Sequence, residues 1–213
     1  MGAGGIPGLL VTDCCWKTES AQVKTRTDDV NVLPEGLPIP EDDGACAHLS
    51  GFAIPDMDLP STGGRSVNLR ARPGRTVVYI YPRTGRPDQN PPDGWNAFPG
   101  ARGCTPQSCS FRDHKSELEQ LGAGIFGLST QDTAYQSEAV ERLHLPFELL
   151  SDELFAFVRA LRLPTFELGG ETFVKRVTLI LRDGVVEKVF YPVFPPDQNV
   201  VQVMSWLAEN PVD

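Results

Sequence analysis

No apolar stretch in the 213 residues approaches the length of a bilayer-spanning helix, and the short run from Ile6 to Val11 has no basic segment before it. Neither a membrane anchor nor a secretory signal is therefore expected. Basic charge is scarce: 19 Lys and Arg stand against 28 Asp and Glu, a net charge of −9. A chain this acidic repels phosphate backbones and anionic lipid, which argues against nucleic acid and membrane as partners. Histidine is confined to His48, His114 and His144, at no metal-ligand spacing, and no Asn-x-Ser/Thr glycosylation acceptor occurs. The five cysteines, Cys14, Cys15, Cys46, Cys104 and Cys109, are odd in number and follow no zinc pattern. These absences argue against a disulfide-stapled secreted domain and point to a reducing compartment, the cytoplasm, with neither metal nor cofactor expected. Cysteine here is expected to do chemistry rather than to hold a scaffold.

Length and a 40% hydrophobic content suffice for one well-formed core with some additional chain. Residues 1–45 show little periodicity, with early glycines and then Pro34, Pro38 and Pro40, and read as an extension that wraps or dangles. The domain proper spans 46–213. A Gly-bounded run at Val67–Leu69 precedes the β-branched and aromatic run Thr76–Tyr81, which has the composition of a buried strand and stops at Pro82. Residues 83–103, rich in Pro and Gly, are too long for an ordinary connection and are expected to be either disordered or functional.

Phe111, His114, Leu118 and Leu121 recur at helical spacing, Pro106 suits a first turn, and Gly122 is a stop signal, which together predict one helix over 104–121. A strand at Gly124–Leu128 and helical patterns through Tyr135–Leu143 and Leu154–Leu161 follow. The runs Val174–Leu181 and Val185–Phe190 flank Asp183-Gly184 as a hairpin, and Val200, Val203, Met204 and Leu207 mark a closing helix. The order βαβα then ββα predicts an α/β chain with a mixed central sheet flanked by helices, as in a thioredoxin-like fold. Gly122-Ala123-Gly124-Ile125-Phe126-Gly127 matches G-x-G-x-x-G literally but closes a helix and enters a strand, the reverse of a dinucleotide loop.

A cysteine at the start of a helix meets unpaired backbone N–H groups and the positive end of the helix dipole, which favour its thiolate. Cys104 has that place, and the seven-residue offset to Phe111 puts it on the inward side of the helix. Cys109 follows five residues later. Five residues advance ~7.5 Å along a helix, beyond the ~7 Å Cα limit of a disulfide. The two sulfurs join only if the first turns unwind.

The stretch Gly103-Cys104-Thr105-Pro106-Gln107-Ser108-Cys109-Ser110-Phe111-Arg112-Asp113 resembles the GCTxxxCxFRD segment of peroxiredoxins of the Q, or bacterioferritin-comigratory, type. Pro55-Asp56, Val67-Asn68-Leu69, Tyr79–Pro82, Gly127–Thr130, Leu150-Ser151-Asp152 and Arg176–Ile180 have counterparts, so the resemblance covers most of 52–208. It implies a thiol peroxidase that reduces hydrogen peroxide and organic hydroperoxides. Cys104 would become a sulfenic acid, Cys109 would resolve it as an intramolecular disulfide, and thioredoxin or a similar dithiol would restore the pair. Arg176 matches the arginine that supports the thiolate and orients peroxide. The resemblance is consistent with a monomer or a homodimer.

One departure stands out. The family motif P-x-x-x-T/S-x-x-C places a hydroxyl three positions before the cysteine and a proline seven before, and here Ala101 and Ala97 occupy those places. Pro82 is the counterpart of the proline, 22 positions before Cys104. Residues 83–103 therefore read as an insertion, whose Thr84, Arg86, Asp93 and Trp95 are placed to reshape the pocket. Two other classes of function compete: a thioredoxin-fold thiol-disulfide oxidoreductase, for which the C-x-x-C spacing is missing, and a non-enzymatic redox sensor. Cys14, Cys15 and Cys46 are read as incidental rather than as ligands or resolving thiols.

Overall fold

The computed structural model describes residues 1–2 and 29–212. Cys14 and Cys15 lie outside the described residues. The core is a five-stranded sheet in the order β5-β4-β3-β8-β9. Its centre is β3 (Arg75–Ile80), every residue of which is buried. A strand covered on both faces needs apolar residues at both parities, and Thr-Val-Val-Tyr-Ile supplies them. β3 runs parallel to β4 (Ala123–Ser129), which is parallel to β5 (Leu149–Ser151). On its other edge β3 pairs antiparallel with β8 (Val177–Arg182), itself antiparallel to β9 (Val185–Phe190). The sheet is mixed, as the element order predicts.

Alternate residues of β3 feed two cores. Val77 and Tyr79 meet Phe111 of α1 (Cys104–Asp113), Leu118 of α2 (Lys115–Gln120), Leu143 of α3 (Thr133–Leu143) and Val203 of α5 (Asn199–Glu209). Val78 and Ile80 meet Leu59 of β1 (Asp58–Pro60), Val67 of β2 (Ser66–Asn68) and Phe157 of α4 (Ala156–Ala160). The β8–β9 turn needs left-handed backbone at both Asp183 (φ 50°) and Gly184 (φ 76°). A Cβ at Gly184 would come 2.4 Å from the Arg70 carbonyl oxygen, so only glycine serves there.

The structure corrects three expectations and decides between the alternatives left open for a fourth segment. The helix predicted over 104–121 breaks at His114, whose backbone leaves helical geometry and separates α1 from α2. The run Val174–Leu181 is two strands: β7 (Glu171–Val174) pairs with β6 (Thr165–Leu168) in a separate hairpin, and β8 starts after Lys175-Arg176. The helix predicted over 154–161 begins only at Ala156, because Phe155 adopts φ 56°. Residues 83–103, left open as disordered or functional, pack against the domain. Trp95 and Ala101 pack with Phe166 and Phe173, and Phe98 stacks on Phe166 at 4.1 Å. Of the extension, residues 29–45 lie against the domain: Arg102 donates to the carbonyls of Asp29 and Val32, and Lys175 pairs with Asp43 at 2.9 Å.

Candidate active site

Cys104 opens α1, and the residue before it dictates how. Gly103 caps the helix at φ 103° and offers no side-chain acceptor, so the first-turn N–H groups face outward unclaimed by a cap. A Cβ on Gly103 would fall 2.5 Å from Cγ of Pro196 and 2.9 Å from Cδ1 of Leu33, which holds the helix start tight against both segments. Cys104 itself is 2% exposed. As a thiol it has only a long contact, 3.6 Å, to the carbonyl of Ala101. The guanidinium of Arg176 donates to its sulfur at 3.1 Å.

Arg176 is 3% exposed and has no carboxylate partner among the described residues. The Nη2 that donates to the sulfur also faces the carbonyls of Gly100, Ala101 and Arg102, Nη1 donates to Oε1 of Gln107, and Nε has no partner among the described residues. A buried cation needs an anion or good hydrogen bonds, and among the described residues the ionisable side chain it bonds is Cys104. Gln107 extends the arrangement: its amide donates to Asn199 at 3.0 Å, and Asn199 accepts from Thr178 at 2.7 Å. This buried Arg176-Gln107-Asn199-Thr178 chain fixes the arginine against α1 and α5.

Cys104 lines a narrow cleft of about 30 Å³ that also takes in Thr84, Arg86, Trp95, Arg102, Thr105 and Tyr135. Three of the four insertion residues singled out in the sequence thus reach the cleft, while Asp93 is exposed and outside it. Val30, from the extension, forms another wall. Thr84 is fully buried and donates to Oε1 of Gln131 at 3.3 Å. Ala101 is fully buried within the Trp95, Phe166 and Phe173 cluster.

Cys109 is half-buried and free. Burial pushes its thiol up, with the Arg112 cation pulling it back. The helix between them keeps Cys109 apart from Cys104. Cys46 is a buried thiol pushed up to about 12 by desolvation and by Asp43 and Asp42. His48 contacts the carbonyl of Leu161, and His114 that of Ser110. Among the described residues no group of His, Cys, Asp and Glu is arranged to hold a metal ion, and no helix is long and apolar enough to cross a membrane.

Sequence reasoning did not find Gln107, Val30 or Arg102. Gln107 sits inside the quoted motif but at a variable position, and nothing local signals that an amide there is buried against Arg176.

A family model described as Redoxin matches residues 49–204. A chloroplastic peroxiredoxin Q of Oryza sativa subsp. japonica is 33% identical over 165 residues, covering 76% of this chain and 68% of that protein. Peroxiredoxin Bcp of Escherichia coli (strain K12) is 30% identical over 166 residues, 76% of this chain and 96% of that one. Among solved structures, Peroxidoxin BcpB from Mycobacterium tuberculosis aligns with a TM-score of 0.63 at 24% identity, over 76% of this chain and 98% of that chain. Xanthomonas campestris Peroxiredoxin Q aligns with a TM-score of 0.58 at 23% identity, over 82% of this chain and 97% of its own. The structural likeness supports the thioredoxin-like fold.

Proposed function

From the premise that the chain belongs to the redoxin family, as a peroxiredoxin of the Q/Bcp type and hence a thiol peroxidase, we propose that Cys104 is the attacking thiolate, Cys109 its resolving partner and Arg176 the residue that holds the thiolate. The observation that carries this reading is the 3.1 Å contact from the Arg176 guanidinium to the buried Cys104 sulfur at an uncapped helix start. The contact sets a cation and a helix N-terminus against the sulfur that is to act as nucleophile.

In the first step the thiolate attacks the hydroxyl oxygen of a hydroperoxide. An S–O bond forms, the O–O bond breaks, and the departing alkoxide or hydroxide takes a proton from water. Cys104 is left as a sulfenic acid. The thiolate of Cys109 then displaces hydroxide from that sulfur, which leaves as water, and the pair becomes a disulfide. A thioredoxin-type dithiol reduces it by exchange. Unwinding of α1 serves the second step twice: it shortens the distance between the sulfurs and lifts the burial that keeps Cys109 protonated.

Hydrogen peroxide and organic hydroperoxides are the proposed substrates. The cytoplasm is the proposed compartment, on acidic charge and cysteine usage; the rice relative is chloroplastic by name. The test is steady-state turnover with a thioredoxin system, offering hydrogen peroxide and insulin disulfide as alternative oxidants. Peroxide consumption without insulin reduction supports a peroxidase. Preference for insulin identifies a thiol-disulfide oxidoreductase, and a single stoichiometric oxidation identifies a sensor.

A further inference from the structure

The cleft over Cys104 must orient a polar substrate, and its hydroxyl groups differ in how they are spent. Ala101 offers only a methyl, turned into the aromatic cluster of Trp95, Phe166 and Phe173. Thr84 commits its hydroxyl to Gln131, and Tyr135 donates its own to the carbonyl of Thr84 at 2.9 Å. Thr105, next to the reactive cysteine, lines the same cleft and is 2% exposed, yet its Oγ1 has no hydrogen-bond partner among the described residues.

That orphan is costly. A buried hydroxyl without a partner loses its hydration and gains nothing in return, so replacing it by an isosteric methyl is expected to leave the fold as stable or more so. Other buried Ser and Thr hydroxyls near the site are paired. Ser129 donates to the Pro82 carbonyl at 3.1 Å, Ser151 to that of Gln131 at 2.8 Å, and Thr178 to Asn199. A hydroxyl left unspent beside the reacting sulfur, where Thr84, Ser129, Ser151 and Thr178 all spend theirs, points to a partner that arrives with the substrate.

We propose that Thr105 is a catalytic residue, whose hydroxyl hydrogen-bonds the hydroperoxide in the cleft and takes the place of the hydroxyl missing at Ala101. As the thiolate of Cys104 attacks the hydroxyl oxygen of the peroxide, negative charge develops on the leaving oxygen. The Thr105 hydroxyl donates to that oxygen as the O–O bond breaks, and the oxide is then protonated by water. Thr105 transfers no proton in net. The donor is already fixed by the first turn of α1, so it needs no reorganisation as charge develops. The proposal rests on the peroxidase reading above.

The test compares Thr105→Val, Thr105→Ala and Thr105→Ser with the unmodified protein. Three quantities are read: the second-order rate of Cys104 oxidation by hydrogen peroxide, the rate of Cys104 alkylation by iodoacetamide, and thermal stability. Thr105→Val is expected to be at least as stable as the unmodified protein and to alkylate at the same rate, while its peroxide rate falls tenfold or more. A tenfold loss corresponds to about 1.4 kcal/mol of transition-state stabilisation. Thr105→Ser should retain the peroxide rate. Should the valine variant not fold, Thr105→Ala against Thr105→Ser carries the same contrast. A peroxide rate within twofold of the unmodified protein in Thr105→Val or Thr105→Ala overturns the proposal and leaves the peroxidase reading standing, as does an equal fall in alkylation and peroxide rates. No peroxide consumption by the unmodified protein overturns both.

Discussion

If Cys109 resolves Cys104, removing a contact that holds α1 closed should speed that step, and Tyr79→Phe removes one cleanly. In an ideal helix two Cα atoms five residues apart are about 8–9 Å distant and point about 140° apart, so the disulfide cannot form until the intervening turns open. Ser108 lies within those turns, and the fully buried Tyr79 hydroxyl donates to its Oγ at 3.2 Å. The phenylalanine ring keeps the stack on Phe111, whose centroid lies 4.6 Å away, and removes only the hydrogen bond. Such a bond is worth about 1 kcal/mol net, so the opened helix should become about fivefold more populated. Reduced protein mixed with one equivalent of peroxide, quenched at successive times with a sulfenic-acid trap and analysed by mass spectrometry, gives the rate of conversion to disulfide. That rate should rise by about the same factor. The yield of sulfinic acid at high peroxide should fall accordingly, because resolution competes with over-oxidation. Faster amide exchange over 104–112 with an unchanged disulfide rate would show that unwinding does not limit resolution, and a slower rate would refute the coupling altogether.

Arg176→Met should slow alkylation of Cys104 at neutral pH, since the cation at 3.1 Å is the charge that favours the reactive form, and an unchanged rate would make Arg176 structural. Gly103→Ala should cost about 1–3 kcal/mol, from a left-handed backbone and the close approach to Pro196 and Leu33, and lower the melting temperature by several degrees. Cys46 sets a pH dependence. Its folded-state pKa is raised from 9.0 to about 12, so the unfolded chain releases a proton between those values while the folded chain does not. The stability due to this group is complete below pH 9 and is lost as pH rises toward 12, by up to about 1.4 kcal/mol per pH unit. Urea melts at pH 8 and pH 10.5 should therefore converge for Cys46→Ala relative to the unmodified chain.

The central strand, the Asp183-Gly184 hairpin, the closing helix and the helix starting at Cys104 were legible because each depends on a local pattern or a local turn. What stayed hidden depends on tertiary placement. Phe111, Leu118 and Leu121 keep helical spacing across the His114 break, so periodicity alone joins α1 to α2. Arg176 was named from the family resemblance, but the run Val174–Leu181 read as one strand, whereas the chain breaks at Lys175-Arg176 and Arg176 donates to Cys104. The missing hydroxyl at Ala101 was visible in the sequence. That Ala101 faces an aromatic cluster and Thr105 is left unpaired was not, because burial of single polar groups follows from packing between distant segments. For the insertion at 83–103 the sequence pointed to the pocket, and three of its four named residues line the Cys104 cleft, but its packing on Phe166 and Phe173 was not legible.

The most direct test of the central claim is peptide mapping, by mass spectrometry, of the full chain after one equivalent of hydrogen peroxide, alongside Cys104→Ser and Cys109→Ser. A disulfide joining Cys104 to Cys109 should appear in the unmodified protein, peroxide consumption should vanish in Cys104→Ser, and Cys109→Ser should accumulate oxygen on Cys104. Undiminished peroxide consumption by Cys104→Ser, or a disulfide from Cys104 to Cys14, Cys15 or Cys46 in the unmodified chain, would contradict the assignment.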